Sequence, residues 1–140
     1  MLKRILIGTV ISGVLSFFSG WLIFGMLMMG MMRPHIMEGI ERLPMPDMVW
    51  LFVGNLFWGL VMSTIFVKWA KVYSFSRGVT VALLVFVPLS IAIDLQTWSL
   101  MTIYKDMSII FYDAIGTAVL VAIVGGLLGM IFGKMGEVTE

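Results

Sequence analysis

Apolar residues fill four long runs of this chain, and polar residues gather in the gaps between them. The runs are 5–32, 48–67, 79–103 and 108–133. A helix of about 20 residues spans the apolar core of a bilayer, and each run reaches that length. The pattern therefore predicts an all-α polytopic membrane protein, a four-transmembrane-helix bundle that takes up residues 1–140 as a single domain. The first run exceeds the ~30 Å core at ~1.5 Å per residue, so it is expected to tilt or protrude. It is also too long for the apolar core of a signal peptide and carries no A-x-A cleavage site, so we read it as a retained span.

Composition agrees with that pattern. Of the 140 residues, 61% are hydrophobic and 12% charged, more apolar surface than a soluble domain of this size can bury. Lys3, Arg4, Lys68, Lys71, Arg77 and Lys134 fall on one side of the four runs, and Arg33, Arg42 and Lys105 on the other. The positive-inside rule then places both termini and the 68–77 loop in the cytoplasm, an N-in/C-in topology. A formal net charge of +1 implies no nucleic-acid partner, and the lack of cysteine excludes disulfides and thiolate metal sites.

Small residues recur at four-residue spacing in the first run (Gly8, Ser12, Ser16, Gly20) and in the fourth (Gly125, Gly129, Gly133). Such ladders let helix backbones approach closely in lipid. Two uses are open: packing inside the bundle, first span on fourth, or a face for another subunit. In the external loop 33–47, Ile36, Met37, Ile40 and Leu43 sit at helical spacing and predict a short interfacial helix ended by Pro44 and Pro46. Asp47 and Asp106 stand where N-caps of the second and fourth spans belong, with Ser74 or Ser76 as the cap of the third. Pro88 interrupts the third run and predicts a bend or a hinge. "PDMVWLFVGN" and "KDMSIIFYDA" echo each other weakly, as two helical hairpins from a duplication would.

Ionisable groups at membrane depth are the strongest chemical pointers. Asp94, Asp113 and Asn55 fall roughly 8–14 Å below the outer surface at ~1.5 Å per residue, in one layer with Thr97 and Thr117. Asp94 and Asp113 flank the tight turn around "YKD" and are placed to face each other. Two such carboxylates in a low dielectric cannot both stay ionised, so a shared proton, a cation site or a proton relay is expected. The alternatives are helix-gluing hydrogen bonds, or a pairing with Arg33 or Arg42 reaching down from above. No nucleophile–base pair and no cofactor fingerprint is visible, so no catalytic residue is assigned and no enzymatic activity is expected.

The segment "GMLMMGMMRPHIME" holds six methionines and the only histidine. Thioethers and imidazole suit Cu(I), which makes Met28, Met29, Met31, Met32 and His35 a candidate soft-metal set. Methionine is also an adaptable apolar filler, and consecutive methionines on one helix point around it. No cofactor is predicted, copper being the one possible metal.

"GWLIFG" (20–25) and "FYDAIGTAVLVAIVGGLLG" (111–129) resemble small four-helix bacterial integral membrane proteins of unknown function. That resemblance implies a bacterial inner-membrane location and supplies no chemistry. The function expected from the sequence is a non-enzymatic accessory or scaffold subunit of a larger membrane complex. Its partners would be the lipid bilayer and other subunits, or copies of itself. The alternatives are a small ion or proton transporter or channel subunit using Asp94, Asp113 and Asn55, and soft-metal binding by segment 25–38.

Overall fold

The computed structural model describes residues 1–136, and within them the chain is helical. Four helices are long and apolar enough to cross a membrane: α1 (Leu2–Leu27), α2 (Met48–Trp69), α3 (Phe75–Leu100) and α4 (Ser108–Lys134). Their ends follow from capping chemistry. The Asp47 carboxylate accepts from the Trp50 amide at 3.3 Å and starts α2. The Ser74 hydroxyl accepts from the Arg77 amide and starts α3, four residues earlier than the apolar pattern alone indicates. Asp106 acts one position further out than an N-cap. Its Oδ1 accepts from the Ser108 amide at 2.8 Å, while Met107 is the residue that precedes α4.

Two helices end in wide π turns, Trp21–Leu27 in α1 and Ile65–Trp69 in α2. Each closes with a five-residue bond, Met28 amide to Ile23 carbonyl and Ala70 amide to Ile65 carbonyl, both at 2.8 Å. After α1 the chain makes one further helical turn, Met29–Met32, and a 3-10 turn, Arg33–His35.

The interfacial helix expected over Ile36–Leu43 does not form. Ile36 instead pairs in antiparallel fashion with Tyr104. The Met37 amide donates to the Ile103 carbonyl at 2.8 Å, and the Lys105 amide to the His35 carbonyl at 2.7 Å. Backbone groups engaged in this way are not free to close helical bonds, and Gly39 turns the chain with φ +80°. This strap joins the α1–α2 connection to the α3–α4 turn.

The helices form two hairpins. α1 packs on α2, α3 packs on α4, and the hairpins meet chiefly where α1 touches α4. The small-residue ladders are used inside these contacts. A Cβ on Gly59 would press on the backbone of Thr9 and Gly13, and one on Gly13 would press on Leu56. Gly8 lies against Phe132 and Ser63, Gly125 against Ala82 and Gly78, and Gly129 and Gly133 against the carbonyls of Ser74 and Tyr73. The α1 face thus packs mainly on α2, and Gly8 also meets Phe132 of α4, where first-on-fourth packing is the sequence expectation. Gly20 has open space around it and joins no contact.

The core lies toward the end of the bundle that holds the termini. Phe66, Val72, Ala82, Val124, Leu128 and Phe132 are almost fully buried there. Arg4 fastens this end by donating to the carbonyls of Met135, at 2.7 Å, and Gly136. Those carbonyls close α4, where the last turn leaves acceptors without helical donors. Toward the opposite end the hairpins part, and the polar residues of the interior collect in the gap.

Candidate functional site: a carboxylate pair in a cleft between the hairpins

Side chains of α2 meet those of α3 and α4 near the core, but the helix backbones stay apart, and this leaves a cleft of about 420 Å³. Met62, Phe86 and Val121 close it toward the core, where Trp58 meets Phe86 edge-on at 5.8 Å. Ser16 of α1 contributes from behind. Trp50, Leu51, Gly54 and Ile93 line the other end and are exposed, Trp50 to 70%. Besides Ser16, the polar side chains of the lining are Asn55 on α2, Ser90 and Asp94 on α3, and Asp113 and Thr117 on α4.

Asp94 and Asp113 come together here. Asp94 sits on the inner face of α3 and is 7% exposed. The Asp113 carboxyl on α4 lies beside it, close enough for direct interaction. Helical spacing explains the placement, since Ser90 and Asp94 share a face of α3, as Asp113 and Thr117 share a face of α4. The Thr117 hydroxyl donates to Asp113 Oδ2 at 3.3 Å. The Tyr104 hydroxyl reaches back from the α3–α4 turn and donates to Asp94 Oδ1 at 2.9 Å. Among the described residues no donor reaches Asp94 Oδ2, although that atom is buried.

Tyr104 itself is held in place. Its backbone pairs with Ile36 in the strap. Partial burial, the hydrogen bond to Asp94 and the nearby carboxylate charges raise its phenol well above the ordinary tyrosine range. Tyr104 therefore stays a hydroxyl donor throughout the physiological pH range. One residue along the turn from Lys105, Asp106 Oδ2 bonds His35 Nδ1 at 2.7 Å, and the His35 ring stacks at 5.4 Å on Tyr112. The bond to His35, followed by the Ser108 amide, holds the Asp106 carboxyl below the usual carboxylate range.

The basic side chains of the loops face other partners. Arg33 pairs with Glu41 at 3.6 Å and Arg42 with Asp47 at 4.0 Å. Neither descends onto the aspartates, so the pairing from above is not the arrangement adopted. Among the described residues, no Lys, Arg or His forms a salt bridge with Asp94 or Asp113.

The remaining sequence candidates divide. Asn55 lines the cleft, but its amide donates to the Leu51 carbonyl of its own helix at 2.8 Å, not to either aspartate. Thr97 donates to the Ile93 carbonyl at 2.9 Å and is absent from the cleft lining. Tyr104, Ser90, Trp50 and Trp58 are members of the site that the sequence reading passed over. The signal for Tyr104 was its position in the short turn between the two aspartates, ten residues after one and nine before the other.

The members of the methionine set differ in environment. Met28 is buried against Gly116, whereas Met29 and Met31 are about half exposed. His35 is occupied at Nδ1 by Asp106. Among the described residues, no three His, Cys, Asp or Glu side chains cluster as metal ligands.

Compared with protein-family models, curated proteins and solved structures, the chain matches none of them.

Proposed function

We propose that this chain is a small, non-enzymatic, four-span protein of a bacterial inner membrane, with both termini in the cytoplasm. In this reading the Asp94–Asp113 pair is its working site and takes up a cation or proton for transport or channel activity. One observation carries this reading. Two carboxyl groups meet inside an apolar bundle, and the described residues offer them hydroxyl donors but no salt-bridge partner. An isolated carboxylate is strongly disfavoured in such a setting, and a second one beside it more so. The missing positive charge must then come from outside the protein.

The lysines and arginines support the orientation. Arg4, Lys68, Lys71, Arg77 and Lys134 cluster at the end with the termini, which is the cytoplasmic end by the positive-inside rule. The cleft accordingly lies in the outer half of the bilayer.

The accessory-subunit reading rested partly on two small-residue ladders as faces for partners. Most of those residues are used within the chain, which shifts the balance toward the acidic site. The parting of α2 from α3 and α4 still favours a partner helix as a second reading. Gentle extraction followed by identification of co-purifying chains addresses it. A monodisperse, solitary protein counts against a subunit role.

The site reading is tested by reconstitution. Proteoliposomes holding the full chain are predicted to carry proton or alkali-cation flux that Asp94→Asn or Asp113→Asn abolishes. Equal flux in wild type and both variants removes this proposal.

A further inference from the structure

The cleft is larger and more apolar than a bare inorganic ion requires. An alkali or alkaline-earth ion is satisfied by several converging oxygens. Here the two carboxyl groups are the only acidic side chains of the lining, and aromatic and apolar side chains, Trp50, Trp58, Met62, Phe86 and Leu120, make up much of the rest. The volume of about 420 Å³ exceeds what a dehydrated ion fills and lies in the range of small-molecule sites. The residues at its outer end, Trp50, Leu51 and Ile93, are exposed on helices long and apolar enough to lie in lipid.

We propose that the cleft binds an organic cation with an apolar body. The charged centre would rest on the Asp94–Asp113 pair and the body between Trp50, Trp58 and Phe86. This deepens the cation-site reading given above and rests on it. Three independent features match that ligand. Among the described residues the carboxyl pair has no salt-bridge partner, and Asp94 Oδ2 is buried with no hydrogen-bond donor on it. Aromatic side chains beside an anionic group attract a desolvated ammonium or phosphonium through the ring quadrupole. Finally, Trp50 and Leu51 of α2 and Ile93 of α3 are exposed at the outer end of the cleft, where a molecule already dissolved in the bilayer can meet it.

The ammonium chemistry has two sources, a free amphiphilic amine or an aminolipid headgroup. Gly54 provides the means to block both. It lines the cleft and has nothing within 4 Å of an added Cβ, so Gly54→Leu is the substitution chosen to occupy the cleft.

The test uses the full chain in nanodiscs of phosphatidylglycerol, a lipid without an amine. Tetraphenylphosphonium binding is followed through tryptophan fluorescence, with empty discs subtracted for partitioning. Saturable binding is expected. Asp113→Asn should weaken it by about tenfold or more, as removing a desolvated counter-ion does. Gly54→Leu should abolish it, and neutral triphenylphosphine oxide should not compete. Competition on adding phosphatidylethanolamine to the discs assigns the natural ammonium to a lipid headgroup, and absence of competition assigns it to a free amphiphile. Binding that survives both Asp113→Asn and Gly54→Leu overturns the proposal. No probe binding, with aspartate-dependent proton or alkali-cation flux intact, overturns the organic-cation ligand alone. Loss of both phenomena overturns the cation site with it.

Discussion

The Tyr104 hydroxyl donates to Asp94 Oδ1 at 2.9 Å, reaching from the turn between α3 and α4 back into the interior of the bundle. This bond ties a connecting segment to the most buried carboxylate in the described chain. It also sets one of the two oxygens of Asp94, and the other is left without a protein donor. Tyr104→Phe keeps the ring and removes the donor. A buried acceptor that loses its partner costs ~1–3 kcal/mol. We expect a lowered thermal midpoint for Tyr104→Phe in detergent, and altered flux at constant expression. A midpoint equal to wild type would show that this bond contributes nothing to stability.

The strap that holds Tyr104 is predicted to loosen in acid. His35 and the Ser108 amide stabilise the ionised form of Asp106, so its carboxyl is lowered in the folded state. The folded chain then binds fewer protons than the unfolded chain across the window between the lowered value and the ordinary ~3.9. The contribution is complete above that window and disappears as pH falls through the lowered value. Amide exchange at Met37 and Lys105 reads it directly. Their protection factors should be retained at neutral pH and fall in acid, and His35→Ala should lower them already at neutral pH.

The glycine contacts make a paired prediction. A Cβ on Gly78 would collide with the carbonyl of Gly125 on the facing helix, whereas a Cβ on Gly20 meets nothing. Backbone against backbone leaves no flexible side chain to yield. Gly78→Ala should therefore destabilise the α3–α4 hairpin by ~1–3 kcal/mol, the usual range for overpacking. Gly20→Ala should be neutral or stabilising by up to ~1 kcal/mol through helix propensity. Thermal unfolding of the two variants side by side tests the contrast.

For the methionine segment the expected result is negative. Met28 is buried against Gly116 while Met29 and Met31 are about half exposed, so the set divides between two environments. Replacing Met28, Met29, Met31 and Met32 with leucine is predicted to leave Cu(I) uptake by the purified protein unchanged, as measured by competition with a chelator. A stoichiometric loss of copper in that variant would restore the metal reading.

Length and apolarity made four helices legible, because a run of more than 20 apolar residues has few other solutions. Helix ends were legible where a side chain caps them, as at Asp47 and Ser74. The loop 33–47 was misread because spacing alone cannot reveal that residues 103–105 take the backbone bonds of 35–37. Asp94 and Asp113 were legible as a pair, since two carboxylates at similar depth on adjacent antiparallel helices have few places to go. The cleft was not legible. It arises because Gly78, Gly125 and Gly129 draw α3 and α4 together while Gly13 and Gly59 draw α2 onto α1, and no local pattern states that α2 and α3 then part. Asn55 shows the limit of depth as a guide. It shares the cleft, yet it spends its amide on its own helix.

The central claim is that Asp94 and Asp113 act as one site. The direct measurement is a double-mutant cycle on cation or proton flux in proteoliposomes, comparing wild type, Asp94→Asn, Asp113→Asn and the combined variant at equal reconstitution. Residues that act as a unit give strongly non-additive losses. The account predicts that each single variant removes nearly all flux and that the double variant is no worse. Additive losses, or a single variant with wild-type flux, would contradict it.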